Sequence, residues 1–146
     1  MSYKGIYRPS NPKKYKGDSQ NIIYRSLWER KFMNYCDLNE NILEWASEEF
    51  WIPYLDPTTN RVRRYFPDFF IKYKDKEKNI RRSVIEVKPM RETLQPKATK
   101  GKSRKTMINE SMTYVKNQAK WKAAREFCAD RKLEFKIMTE KELGIR

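Results

Sequence analysis

The sequence predicts a mixed α/β domain, a central mixed sheet flanked by helices in the order α-β-β-β-α-β-α. Three observations predict it. Apolar residues recur at helical spacing before residue 40 and again after residue 110, while between these stretches they alternate with a period of two. Turn-forming clusters interrupt the alternating stretch at intervals that suit short strands. A length of 146 residues fits one compact core, and the chain shows neither an internal repeat nor a second domain.

Residues 1–21 mix Lys, Tyr, Ser, Asn and Pro without periodicity and read as a flexible basic arm ahead of a single domain at 22–146. Ser26 is a good N-cap, and Glu29, three residues on, completes a capping box. Leu27, Trp28, Phe32, Tyr35 and Cys36 then predict a helix over about Leu27–Leu38. From Ile42 the period changes. Leu43, Trp45, Phe50, Ile52 and Tyr54 predict one strand, ended by the turn cluster Asp56-Pro57-Thr58-Thr59-Asn60. Val62–Tyr73 reads as its partner, and Ile80–Lys88 as the third strand of an antiparallel meander that Pro89 stops. Residues 89–109 carry Lys97, Lys100, Lys102, Arg104 and Lys105 around Pro96 and Gly101 with little to bury, which predicts a mobile basic loop. A helix over about Ser111–Ala129, a strand over Leu133–Met138 and a short helix Glu140–Leu143 capped by Thr139 complete the reading.

Composition narrows the chemistry. A formal net charge of +14 is costly through self-repulsion and points to a polyanionic partner. Nucleic acid leads, an acidic protein comes second, and a membrane surface comes third, since no run approaches the roughly 20 apolar residues of a span. The polar, basic start lacks the apolar segment of a secretory signal, so a cytoplasmic location is expected. The chain has no histidine. That excludes zinc sites of the usual kinds, Ser-His triads and histidine bases, and leaves carboxylates, Lys, Tyr or a hard metal ion bound by oxygens. Cys36 and Cys128 match no metal-ligand spacing and are expected to be buried free thiols.

The acids and lysines of the central stretch carry a pattern. Strand alternation places Glu86 and Lys88 on one face, roughly 6–7 Å apart, with Val84 beside them and Ile85 and Val87 on the other face. A strand this apolar should be central, and central strands rarely point charge inward without a reason. Asp68 follows Pro67 inside the run Tyr65, Phe66, Phe69, Phe70, Ile71. The proline denies the ladder one donor and bends the strand, which can aim a side chain. If the second and third strands pair, Asp68 and Glu86 lie on neighbouring strands and can share one divalent ion. Mg²⁺ suits such a pair, because it takes one or two carboxylates and fills its other positions with water and substrate phosphates. Each residue also has a plain reading: Glu29 as a cap, Asp68 as a turn residue, Glu86 and Lys88 as a cross-strand ion pair. The plain account needs three coincidences. The basic loop grips phosphates or is a solvated linker. Trp51, Tyr65, Phe69 and Phe70 stack on bases or pack the core, and core packing is favoured for them as for Trp28 and Trp121.

Glu29 on the first helix, Pro67-Asp68 and Glu86-Val87-Lys88 resemble the PD-(D/E)XK nuclease superfamily, whose fold is restriction-endonuclease-like. The start Tyr24-Arg25-Ser26-Leu27-Trp28-Glu29 and the ending Phe135-Lys136-Ile137-Met138-Thr139-Glu140 are similar to TnsA-like nuclease domains. Length and layout are similar to the head-completion nucleases of T-even-type phages. The resemblance implies a metal-dependent DNA endonuclease using Mg²⁺, with Mn²⁺ able to substitute. It implies that Asp68, Glu86 and the Val87 carbonyl hold the metal, that Lys88 orients water or meets charge on the phosphate, and that Glu29 binds a second ion or positions water. Gln118 on the later helix is a supporting polar contact. The phage likeness further implies action on DNA ends, phage head or portal proteins as partners, and residence in the host cytoplasm or the virion. The rivals are a non-catalytic DNA-binding or structural head-completion protein on the same fold, and a structure-selective resolvase, which would need a dimer.

Overall fold

The computed structural model describes residues 4–144; Met1–Tyr3 and Ile145–Arg146, the ends of the expected arm and domain, lie outside them. Four helices and eight strands follow in the order β1 (Gly5–Tyr7), β2 (Ile22–Tyr24), α1 (Leu27–Leu38), β3 (Ile42–Ser47), β4 (Ile52–Asp56), β5 (Arg61–Tyr65), β6 (Phe69–Lys74), β7 (Ile80–Val87), α2 (Met90–Thr93), α3 (Arg104–Asp130), β8 (Glu134–Met138) and α4 (Glu140–Leu143). The central sheet runs β3-β6-β7-β8. Its first three strands are antiparallel, and β8, reached across α3, lies parallel to β7. The mixed sheet flanked by helices is the architecture the periodicity predicts.

Alternation along β6 and β7 builds two cores on the two faces of this sheet. Phe69, Ile71, Ile85 and Val87 face α1 and pack with Phe32, Met33, Cys36 and Trp45. On the opposite face Trp121 and Ala124 of α3 pack with Ile52, Tyr54, Tyr65, Phe135 and Ile137. Both cysteines are free and buried, as expected.

The meander is where the expectation fails. The first expected strand breaks after Ser47, where Glu48 adopts the left-handed conformation at φ 52° and turns the chain. The second breaks at Phe66-Pro67-Asp68, because Pro67 has no N–H to give a ladder. The inner halves β3 and β6 pair in the sheet, while the outer halves β4 and β5 form a separate ribbon that leans on α3. Asp56, fully buried at the end of β4, fastens the ribbon: Thr58 donates to it, Arg63 lies 3.1 Å away and Lys116 of α3 lies 3.9 Å away.

The segment expected as an unpacked arm also packs. From Gly5 it supplies β1, a 3₁₀ turn at Pro12–Lys14 and two buried tyrosines, Tyr7 and Tyr15. Buried Asp37 at the end of α1 holds it by accepting from the Ser10 and Asn11 N–H groups at 2.7 and 2.9 Å and from Tyr7 at 3.2 Å. A segment without periodicity is thus ordered by one acid distant in sequence, which no local pattern announces.

The basic loop is shorter than expected. α3 starts at Arg104, because the Ser103 hydroxyl accepts from the Thr106 N–H. The usual acidic start signal is missing, and Arg104 and Lys105 stand against the helix dipole. Only the later half of α3 is packed, through Asn117, Trp121, Ala124 and Cys128. The earlier half exposes Ile108, Met112 and Val115. Among the described residues no helix is long and apolar enough to cross a membrane.

Candidate active site

β7 carries the centre. Its last residues Ser83–Val87 are buried between the two cores, yet Glu86 brings a carboxyl group there and is only 6% exposed. Alternation turns Glu86 to the α3 face, together with Val84 and Lys88. The register sets Phe69 opposite Ile85, so Asp68, one residue earlier, continues it opposite Glu86. Asp68 Oδ2 accepts from the Val87 N–H at 2.8 Å, which ties the carboxylate to the neighbouring strand in the place where Pro67 has interrupted β-pairing. Lys88 Nζ stands 3.9 Å from Glu86 Oε2. The strand pairing on which a shared ion depends is therefore present, and it gathers Asp68, Glu86 and Lys88.

Electrostatics marks the carboxyl pair as strained. Burial raises the Asp68 carboxyl well above the usual carboxylate range, and the charge of Glu86 and then of Glu29 raises it further. Burial also raises Glu86, against the opposing pull of Tyr65, Lys88 and Lys120. Two carboxyl groups forced together out of water favour either a shared proton or a cation. The donor set fits a hard divalent ion, since Asp68, Glu86 and the adjacent Val87 carbonyl offer only oxygens. Among the described residues no three acids converge closely enough to cage an ion by themselves. Two carboxylates plus water and phosphate is the Mg²⁺ pattern, whereas a three-acid cage with Glu29 is not formed.

Glu29 sits at the start of α1, half-buried, and its charge reaches Asp68. The expected capping box is half present. The Ser26 hydroxyl accepts from the Glu29 N–H at 3.1 Å, but the Glu29 carboxylate accepts from the N–H of Arg25, one residue before the cap, at 3.4 Å. Its carboxyl is raised, by burial first, while the neighbouring Glu48 charge raises it too. Glu48, in its left-handed turn, is in turn held by Arg25 at 3.2 Å.

Tyr65 and Lys120 also stand at the centre, where the sequence alone did not place them. The Tyr65 hydroxyl donates to Glu86 Oε1 at 2.7 Å, so a side chain expected to pack the core or stack on a base also orients a carboxylate. Lys120 reaches the same face from α3, its nitrogen 5.8 Å from the centres of both the Tyr54 and Tyr65 rings. A signal existed for Lys120: it falls between Asn117 and Ala124 on the packed stripe of its helix, where lysine is rare. Nothing local points from Tyr65 to Glu86. Gln118, half-buried on α3, makes no side-chain hydrogen bond among the described residues.

The basic residues divide. Lys97 and Lys100 are exposed in the irregular segment, and Arg104 and Lys105 are exposed on the first turn of α3. Lys102 is instead engaged, donating to the Lys97 carbonyl at 3.0 Å and to Glu110 at 2.9 Å. A cleft of about 820 Å³ lies between this segment and α3, lined by Arg91, Leu94, Pro96, Lys97, Tyr114 and Asn117 among others. Trp51, expected in the core, is 44% exposed and lies under the Arg64 guanidinium at 4.7 Å.

Asp68, Glu86 and Lys88 thus meet at the junction of the two central strands of a restriction-endonuclease-like sheet, and comparison with known proteins places this fold in a nuclease family. Residues 39–140 match the family described as TnsA-like endonuclease N terminal, and the chain belongs to that family. The matched region includes Asp68, Glu86, Lys88 and Lys120, whereas Glu29 precedes it. The chain is 37% identical over 143 residues to the head completion nuclease of Enterobacteria phage T4, covering 96% of this chain and 93% of that protein.

Proposed function

We propose that the chain is a Mg²⁺-dependent endodeoxyribonuclease that hydrolyses DNA phosphodiester bonds, with Mn²⁺ able to substitute. The observation that carries the reading is the placement of Asp68 opposite Glu86, two carboxyl groups raised by shared burial, with Lys88 alongside. Asp68, Glu86 and the Val87 carbonyl would hold the ion. When bound, it supplies charge neutralisation at the phosphate and lowers the pKa of nearby water. Lys88 orients the attacking water or meets charge developing on the phosphate. Glu29, aimed from the start of α1, positions water, and Gln118 is a peripheral polar support. In the reaction a water oxygen forms a bond to phosphorus, one ester P–O bond breaks in line with it, and the water proton passes to the departing alkoxide. Lys97, Lys100, Arg104 and Lys105, with Lys102 bracing the segment, grip backbone phosphates and supply salt-dependent affinity rather than sequence choice.

The phage relative carries head completion in its name. By that likeness we assign this chain to DNA ends during head completion, with head or portal proteins as partners, in the host cytoplasm or the virion. The test is purified protein with plasmid DNA and Mg²⁺. Cleavage that is lost in Asp68→Ala and in Lys88→Ala is expected. No cleavage with either Mg²⁺ or Mn²⁺, or variants that cut like the parent, would overturn the enzymatic reading. Steep salt dependence without any metal response would then mark a non-catalytic DNA-binding head protein.

A further inference from the structure

We propose that Lys120 is a second phosphate-binding cation of the active site, acting with Lys88 from the opposite wall; the inference rests on the nuclease reading above. Four observations carry it. Lys120 reaches the α3 face of the sheet, the face to which alternation turns Glu86 and Lys88. It lies on the packed stripe of its helix, beside Trp121 and Ala124, which are 1% and 0% exposed. Its nitrogen lies 5.8 Å from both the Tyr54 and Tyr65 ring centres, so two aromatic walls define its position. Finally, among the described residues no carboxylate lies within 4 Å of that nitrogen, although Lys88 and Lys116 on either side each have one at 3.9 Å.

A half-buried ammonium with no carboxylate in direct contact gains from a further anion. Glu86 attracts Lys120 only from beyond 4 Å and is shared, since the Tyr65 hydroxyl donates to its Oε1, Lys88 stands near its Oε2, and the metal ion would draw on the same carboxylate. The fitting anion is a phosphodiester. Charge balance agrees: the carboxylates of Asp68 and Glu86 cancel one divalent ion, which leaves the two ammonium groups to meet a phosphate. That phosphate gains a second negative charge as water adds, so a cation fixed in advance is worth more in the transition state than in the bound substrate. Tyr65 links the parts, since its ring seats Lys120 while its hydroxyl orients Glu86. Lys120 is thus a catalytic residue of the reaction and Tyr65 a positioning residue.

The experiment is single-turnover cleavage of end-labelled DNA at saturating enzyme, with DNA affinity measured separately in Ca²⁺. Lys120→Ala is expected to lower the cleavage rate about 100-fold while the Mg²⁺ midpoint and the DNA affinity stay within about threefold of the parent. Lys120→Arg should recover part of the rate, and ethylammonium added to Lys120→Ala should restore some of it, which a packing role would not predict. If Lys120→Ala fails to fold, Lys120→Met keeps the stem and supports the same comparison. A rate within threefold of the parent overturns the proposal. So does a rate that returns to normal at high Mg²⁺, since Lys120 would then act through a metal ligand. The two readings fail differently. A parent that never cuts removes the nuclease assignment and this one with it. A parent that cuts, an Asp68→Ala that does not, and a Lys120→Ala that matches the parent removes only the role of Lys120.

Discussion

Asp68 shows what the site costs at the scale of one residue. Its carboxyl group is drawn out of water beside Glu86, with the Val87 N–H and Lys88 opposing that cost. Asparagine keeps an oxygen for that N–H and removes the charge. Asp68→Asn is therefore expected to abolish cleavage and yet raise the stability of the metal-free protein at neutral pH. Relief of one poorly compensated buried charge is worth on the order of 1 kcal/mol, or a rise of about 2–4 °C in a domain of this size. Calorimetry in EDTA checks it, and a fall in Tm would show that Asp68 is held as a net stabilising group. Tyr65 tests the other carboxylate. Tyr65→Phe leaves the ring that packs against Trp121 and removes the donor to Glu86. An outer hydrogen bond of this kind tunes metal affinity by about 10-fold or more. The Mg²⁺ midpoint for cleavage should rise by that factor while the rate at saturating metal stays within a few-fold, and an unchanged midpoint would deny Tyr65 the role.

At the scale of elements, the break at Pro67 and the length of α3 decide what the site can do. Pro67 separates β5 from β6, leaves Asp68 just before β6 with its carbonyl still accepting from the Glu48 N–H at 3.2 Å, and lets the β4–β5 ribbon swing onto α3. α3 has 27 residues and so runs about 40 Å at 1.5 Å per residue. Its packed half carries Lys120 to the site, and its exposed half carries Arg104 and Lys105 away from it. These distant cations should affect binding and leave chemistry alone. Replacing Lys97, Lys100 and Lys105 together by Ala is expected to reduce the slope of log affinity against log salt by about 0.9 for each phosphate that is no longer neutralised. The cleavage rate at saturating protein should not change. Titrations at several salt concentrations measure the slope, and an unchanged slope would make the segment a solvated linker. Lys102, bonded to Glu110 and to the Lys97 carbonyl, belongs to the architecture of this segment rather than to its free charge.

At the scale of the molecule, the acids set opposing pH dependences. Asp68, Glu86 and Glu29 titrate above their ordinary values, so between their unfolded and folded values the native state binds more protons and stability falls as pH rises. Burial pushes Glu134 up, but hydrogen bonds from Ser83 and Tyr73 outweigh it, and bonds from Thr139 lower Glu142, so both titrate below their ordinary values and their contribution is lost as pH falls through the folded value. Metal-free protein should therefore be most stable on the acid side of neutrality. Mg²⁺ should raise stability on the alkaline limb by about 2.7 kcal/mol at 100 times its dissociation constant. Urea unfolding from pH 4 to 8, with Mg²⁺ and with EDTA, measures both limbs. A metal-free curve that climbs steadily to pH 8 would contradict the raised acids.

The alternation of helix and strand, the α1 and α4 boundaries, the buried thiols, the basic character and the shared face of Glu86 and Lys88 were all legible in the amino-acid order. Each of these follows from local periodicity, capping or composition, which act within a few residues. Folding in three dimensions added that the expected meander splits into a sheet and a ribbon, that the N-terminal segment packs around Asp37, that Asp68 stands opposite Glu86, and that Tyr65 and Lys120 join them. The physical reason is the same in each case. Strand pairing, burial of a lone acid and the meeting of a helix face with a sheet edge depend on contacts between residues tens of positions apart, and local spacing carries no record of which distant partner wins.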